Sequence, residues 1–231
     1  MKAAQSLLLC LVSALTQSGG LAQQDDLAGK SQRAKELMAE GKFVQAIPLY
    51  RELIQAVPNN PGLMLNLGMA LHMAGKEREA IPELEAATKL DPTLAPAWLF
   101  LGAARLQLGE ATAAVKALKM VLGLQPDHRE ARQMLASGLL SLDRVKEAAE
   151  AYRKLTELDS ESAQAWYGLG RCYESISGRA FDDLQKTAPE SAYWLALVAE
   201  ARVREQQFSS AFYQMPLPGR CAMADRPPEW T

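Results

Sequence analysis

The sequence is poor in the residues that carry chemistry. Of 231 residues, two are histidine and three are cysteine. A small scaffold held by disulfides needs more cysteines. A structural zinc site needs four Cys or His ligands at tight spacing. Aromatic side chains make up 6% of the chain, and 25 Lys and Arg nearly cancel 27 Asp and Glu. The net charge of -2 supplies no general attraction for nucleic acid or an anionic membrane. Long apolar runs are also scarce. Leu7–Leu15 (LLLCLVSAL) has nine residues, and no later run approaches the ~20 that a spanning helix needs. What remains, 48% hydrophobic and 23% charged, is a globular balance.

The N-terminal run reads as part of a secretory signal over residues 1–22. Lys2 supplies the positive start. Gly20 and Ala22 are small residues at a cleavage position, and polar Gln23–Asp26 follow. The mature chain is then expected outside the cytoplasm, secreted or periplasmic, with no integral membrane segment. Only Cys172 and Cys221 would survive cleavage. Pairing is open to them in an oxidising compartment. The helical pattern around Cys172 also suits a small buried residue.

No HExxH, CxxC, GxSxG or phosphate-loop pattern is present. His72 and His128 lie on different segments. Adjacent acids such as Asp182 and Asp183 diverge by about 100° on a helix and do not converge as an acid/base pair. Gly168-Leu169-Gly170 follows a helical pattern, not a strand. We therefore expect no catalytic residue, no metal ligand and no cofactor, and read the chain as not an enzyme.

The positive signal is a period of 34 residues. Pro58, Pro92 and Pro126 are spaced by it, as are Gly41, Gly75 and Gly109, and Ala46, Ala80, Ala114 and Ala148. Gly68 and Gly102 repeat with the same step, and Trp98 and Trp166 lie two steps apart. Each unit reads as two helices. In the second unit Leu67 and Leu71 mark one helical face, and Gly75 is placed to stop the helix in a left-handed conformation. Ala80, Ile81, Leu84 and Ala87 then form a second stripe, closed by Asp91-Pro92. Pro48 and Pro82 are expected in the first turn of a second helix, where a missing N–H costs little.

This pattern resembles the tetratricopeptide repeat, a 34-residue helix–turn–helix unit. The matching residues are Gly41, Phe43, Ala46, Tyr50 and Pro58 in the first unit. They are Leu67, Gly68, Gly75, Ala80, Ala87 and Pro92 in the second, and Trp98, Leu101, Gly102, Gly109, Ala114 and Pro126 in the third. The fourth matches through Leu135, Ala148, Tyr152 and Leu155, with Ala136 and Asp143 in place of glycines. The resemblance implies an all-α fold, a right-handed α-solenoid of antiparallel helix pairs over 23–214. The units lie near 27–60, 61–94, 95–128 and 129–162, followed by a shortened 163–191, a partial 192–214 and an irregular tail over 215–231. The fifth unit opens normally with Trp166, Leu169, Gly170 and Tyr173. Phe181, Leu184 and Pro189 then arrive five residues early. The deletion falls in the turn, so Ala163 to about Lys186 is expected as one helix, bent at Ser177-Gly178. A shorter irregular turn at Gly178 is the alternative. Met215-Pro216-Leu217-Pro218-Gly219 ends the sixth unit's second helix early, so the tail is expected to be poorly ordered and an apolar helix face uncovered.

The resemblance also implies a groove lined by the first helices. Its positions here are Ser31, Lys35 and Met38; Leu65, Met69, His72 and Met73; Leu99, Ala103, Leu106 and Gln107; Gln133, Ser137 and Leu140; Tyr167, Arg171 and Glu174. The centre is apolar and rich in Met, with Lys35 and Arg171 at the margins. Such a face suits a protein or peptide segment; packing against neighbouring helices is the other reading of the same residues. A carboxylate clamp of the kind some family members carry finds only Lys35 and Asn66 here, with Pro96, Leu99 and Phe100 where a second cation belongs. The expected function is a non-enzymatic interaction scaffold, by family analogy an extracytoplasmic assembly or chaperone-like adaptor. Two alternatives stay open: the repeat portion of a larger secreted enzyme, and a protein that self-associates through its uncapped C-terminal unit.

Overall fold

The computed structural model describes residues 26–198, 200 and 203. The expected signal segment, Cys221, the second half of the sixth unit and the tail from Met215 lie outside them. All regular structure among the described residues is helical. The helices are α1 (26–39), α2 (Phe43–Ala56), α3 (Pro61–Met73), α4 (Glu77–Leu90), α5 (Ala95–Gln107), α6 (Ala111–Leu124), α7 (Arg129–Ser141), α8 (Val145–Leu158), α9 (Ala163–Thr187) and α10, described over 192–198. They fall into two compact units, one reaching to Tyr173 and one starting at Glu174.

Local chemistry sets the boundaries. Each first helix of the complete pairs ends before a residue in the left-handed region: Gly41 at φ 73°, Gly75 at 72°, Gly109 at 76° and Asp143 at 58°. At Gly75 the amide N–H donates to the His72 carbonyl, and Lys76 N–H donates to Leu71. These bonds occupy carbonyls that the helix end leaves without partners. At the other end of α3, the Asn60 side chain accepts from Leu63 N–H at 3.1 Å and Pro61 opens the helix. His128 does the same for α7, its Nδ1 accepting from Ala131 N–H at 3.2 Å.

Two prolines depart from expectation. Pro48 and Pro82 are each the sixth residue of their helix, in the second turn. Both helices continue through them. The carbonyls left without an amide partner belong to Val44 and Arg78, which sit with their prolines on the exposed side, where water can solvate them.

Within the first unit, α3 packs on α4, α5 on α6 and α7 on α8; α2, α4 and α6 each also pack on the next first helix. The first helices α3, α5 and α7 lie side by side. Close approach within a pair depends on a missing Cβ. One added at Gly68 would fall 2.5 Å from Leu84 Cγ, and one at Gly102 2.7 Å from Leu118 Cγ. Leu84 and Leu118 are fully buried, each contributing on the order of 2 kcal/mol by removal from water. The same position in successive units also makes the same bond to the preceding unit. Trp98 Nε1–H donates to the Pro92 carbonyl at 2.9 Å, Arg132 donates to that of Pro126, and Trp166 Nε1–H to that of Ser160 at 2.8 Å. The 34-residue period thus extends from the chain to its hydrogen bonds.

The fifth unit differs. α9 runs unbroken for 25 residues from Ala163 to Thr187, the fused helix that the shortened turn predicts. Cys172 within it is fully buried.

Candidate protein-binding face of the first helices

The structure sorts the expected groove residues into two sets. Leu65, Leu99 and Ala103 are 8%, 9% and 9% exposed. These side chains are buried and offer little surface to a ligand. Met38 and Met69 are half-buried against the core formed by Leu37, Leu67 and Leu71. Leu106 is half-buried and seats against α7: a Cβ at Gly138 would meet its Cδ2 at 3.2 Å. The Met-rich centre read from the sequence is therefore mostly a floor that glues first helices together.

His72 is also tied into the fold. Its Nδ1 lies 2.7 Å from Glu77 Oε2, and its ring meets Phe100 edge-on at 5.8 Å between centroids. The second set stands out from the floor. Met73 is 50% exposed, Leu140 38% and Tyr167 71%. Lys35 and Arg171 are exposed too. Lys35 on α1 and Tyr167 and Arg171 on α9 occupy opposite ends of the stack, with Met73 and Leu140 between. Packing puts Leu65 and Met69 in one cluster; it does not bring the two cations together.

A small cleft of about 120 Å³ opens where α7, α8 and the start of α9 meet, lined by Arg129, Gln133, Tyr152, Asp159, Ser162 and Gln164 among others. Arg129 spans its edge, donating to Asp159 Oδ2 at 3.1 Å and to the Leu158 carbonyl at 3.0 Å. Among these residues the sequence marks Gln133 as a groove position and Tyr152 as a repeat residue but not the cleft itself, which arises from how three helices meet. Burial pushes the Tyr152 phenol above its usual range, with Cys172 nearby adding to it. Burial likewise pushes the Cys172 thiol up. Neither group is primed as an anion near neutral pH.

Among the described residues no group of three or more His, Cys, Asp or Glu side chains is arranged to hold a metal ion. No helix among them is long and apolar enough to cross a membrane.

Stacked helix pairs with left-handed turn residues at fixed spacing define a class, the α-solenoid repeat proteins. The particular family follows from the sequence match. Residues 37–85 and 71–138 match one tetratricopeptide repeat profile and residues 134–180 another, together more than half of the chain. The chain belongs to the tetratricopeptide repeat family. Among solved structures it is similar to a crystal structure of MamA, at 25% identity and TM-score 0.63, over 83% of this chain and 97% of that one. It is also similar to MamA residues 41 to the end from Desulfovibrio magneticus RS-1, at 21% identity and TM-score 0.61, over 77% and 96%. YrrB, described as a tetratricopeptide repeat protein with an unusual peptide-binding site, is 19% identical with TM-score 0.59, over 72% and 88%. No curated protein matches the sequence.

Proposed function

We propose that this chain is a non-enzymatic interaction scaffold that holds an apolar protein segment along the exposed side chains of its first helices. One observation carries the reading. On a face whose floor is closed by Leu65, Leu99 and Ala103, the apolar side chains of Met73, Leu140 and Tyr167 remain exposed on three different first helices. Apolar groups spaced along a stack suit an extended or helical segment better than a small molecule, which takes a concave, enclosed site. Met73 adds a flexible contact that tolerates varied partners.

We further propose that residues 1–22 export the chain, so that the partner is an extracytoplasmic protein. Lys2, the apolar run Leu7–Leu15 and the small residues Gly20 and Ala22 support this reading. N-terminal sequencing of the exported protein should begin at Gln23; a retained Met1 would refute export by cleavage.

Selection from a displayed peptide library tests the binding reading. The wild type should enrich apolar segments. Met73→Glu with Leu140→Glu should abolish enrichment, while Val44→Glu with Val57→Glu, also exposed but on and just after a second helix, should leave it intact. Identical enrichment by both double variants would refute the proposed face.

A further inference from the structure

The 34-residue period lets one place in the fold be compared between repeats. In the second and third repeats the first helices carry Leu65 and Leu99, both buried. The second helices carry Leu84 and Leu118, fully buried and seated on Gly68 and Gly102 of their own repeat. One period on, the fourth repeat has Gln133 for Leu99, Tyr152 for Leu118 and Ala136 for Gly102. The Tyr152 ring lies against Gly168 of α9: a Cβ added there would fall 2.4 Å from Cε1 and 2.5 Å from Cζ. Where the earlier repeats have two leucines, the fourth has two polar side chains and the cleft of about 120 Å³. The whole lining, from Arg129 to Ala165, lies within the compact unit that ends at Tyr173.

The lining offers hydrogen bonds without net charge. Tyr152 is 9% exposed, and its hydroxyl has no hydrogen-bond partner among the described residues. A buried phenol ordinarily finds one. Burial keeps its proton on, so it can donate. The side-chain amides of Gln133 and Gln164 also have no partner among the described residues. Ser162 Oγ accepts from Ala165 N–H at 3.3 Å and keeps its own hydrogen to give. Arg129 and Asp159 bond each other at 3.1 Å, so their charges offset locally. A carboxylate entering the cleft would meet Asp159, and an ammonium group would meet Arg129. A carboxamide is neutral, and it donates and accepts as the hydroxyls and amides around it do. The cleft is a little smaller than the ~150 Å³ that holds a benzene ring, room for one such side chain.

We propose that this cleft is a polar subsite that takes an Asn or Gln side chain of the bound protein segment; the proposal rests on the first-helix face being the binding surface. Gln133 and the exposed Leu140 lie seven residues apart on α7, about 10 Å along one side of the helix. An extended segment that covers Leu140 therefore carries its carboxamide about three residues away, at ~3.3 Å per residue. The subsite adds selectivity to an otherwise apolar face. An apolar floor accepts many segments, whereas buried polar groups reject a side chain that leaves them unpaired.

Peptides selected from the displayed library by the full chain test the proposal. The wild type should enrich apolar segments with Asn or Gln at one fixed position. Replacing that peptide residue by Leu, Asp or Lys should weaken binding roughly tenfold or more. Tyr152→Phe removes only the hydroxyl. It should weaken the carboxamide peptide roughly three- to tenfold and leave the Leu-substituted peptide unchanged. Gln133→Leu restores the residue of the earlier repeats and should erase the preference for Asn or Gln while apolar segments are still enriched. Both variants should unfold cooperatively by circular dichroism; if Tyr152→Phe does not, Gln133→Leu still decides. Apolar enrichment with no fixed carboxamide, or an equal loss of both peptides in Tyr152→Phe, overturns the subsite and leaves the face standing. A wild type that enriches nothing refutes the face and the subsite with it.

Discussion

His72 Nδ1 and Glu77 Oε2 lie 2.7 Å apart, joining the last turn of α3 to the first turn of α4 across the Gly75 turn. Their side chains are 16% and 13% exposed, so the bond is shielded on most sides. A carboxylate at the start of α4 and an imidazole at the end of α3 each suit the dipole of their helix. Removing either partner leaves the other largely buried and unpaired. We expect His72→Ala and Glu77→Ala each to cost roughly 1–3 kcal/mol in urea unfolding. The double variant should cost clearly less than the sum. Additivity within about 0.5 kcal/mol would mean that the pair contributes nothing as a pair.

The glycines of helix interiors separate into two kinds. Gly102→Ala drives a methyl group into fully buried Leu118 and should destabilise by about 1–3 kcal/mol. Gly123, near the end of α6, has nothing within 4 Å of an added Cβ. Gly123→Ala should leave stability unchanged or raise it by up to about 1 kcal/mol. Melting temperatures of the two variants should move in opposite directions or differ by several degrees.

At the inter-helix turns, backbone handedness rather than space decides. Gly75 has φ 72° and open surroundings, so Gly75→Ala should cost about 1–2 kcal/mol through strain alone. Asp143 holds the equivalent place at φ 58°. Asp143→Gly should relieve that strain and raise the unfolding midpoint; a lower midpoint would show that the aspartate side chain contributes more than the strain costs.

Cys172 offers a probe of opening. It is fully buried, and burial raises its thiol pKa. Alkylation of the native chain at mildly alkaline pH should be slow and should track the unfolded population, accelerating sharply in denaturant. The linkage follows the same sign. The unfolded thiol ionises first as pH rises, so this group's contribution to stability is complete below the unfolded thiol's range and declines above it.

The amino-acid sequence determined the repeat by itself. Gly41, Gly75 and Gly109 announced the left-handed turns, and Gly68 and Gly102 the close helix contacts, because only glycine meets either demand cheaply. The early arrival of Phe181, Leu184 and Pro189 foretold the unbroken α9. Other features belonged to tertiary structure. Leu65, Leu99 and Met73 look alike as letters at groove positions. Only the packing of the helices buries the first two and leaves Met73 half exposed. Trp98 and Trp166 are the same residue at the same repeat position with the same bond to the preceding unit. Yet Trp98 is half-buried where α6 packs on α5, and Trp166 is 53% exposed. Periodicity is a property of the chain and can be read along it. Burial is a property of what lies across the gap, and here that is set by helices distant in sequence.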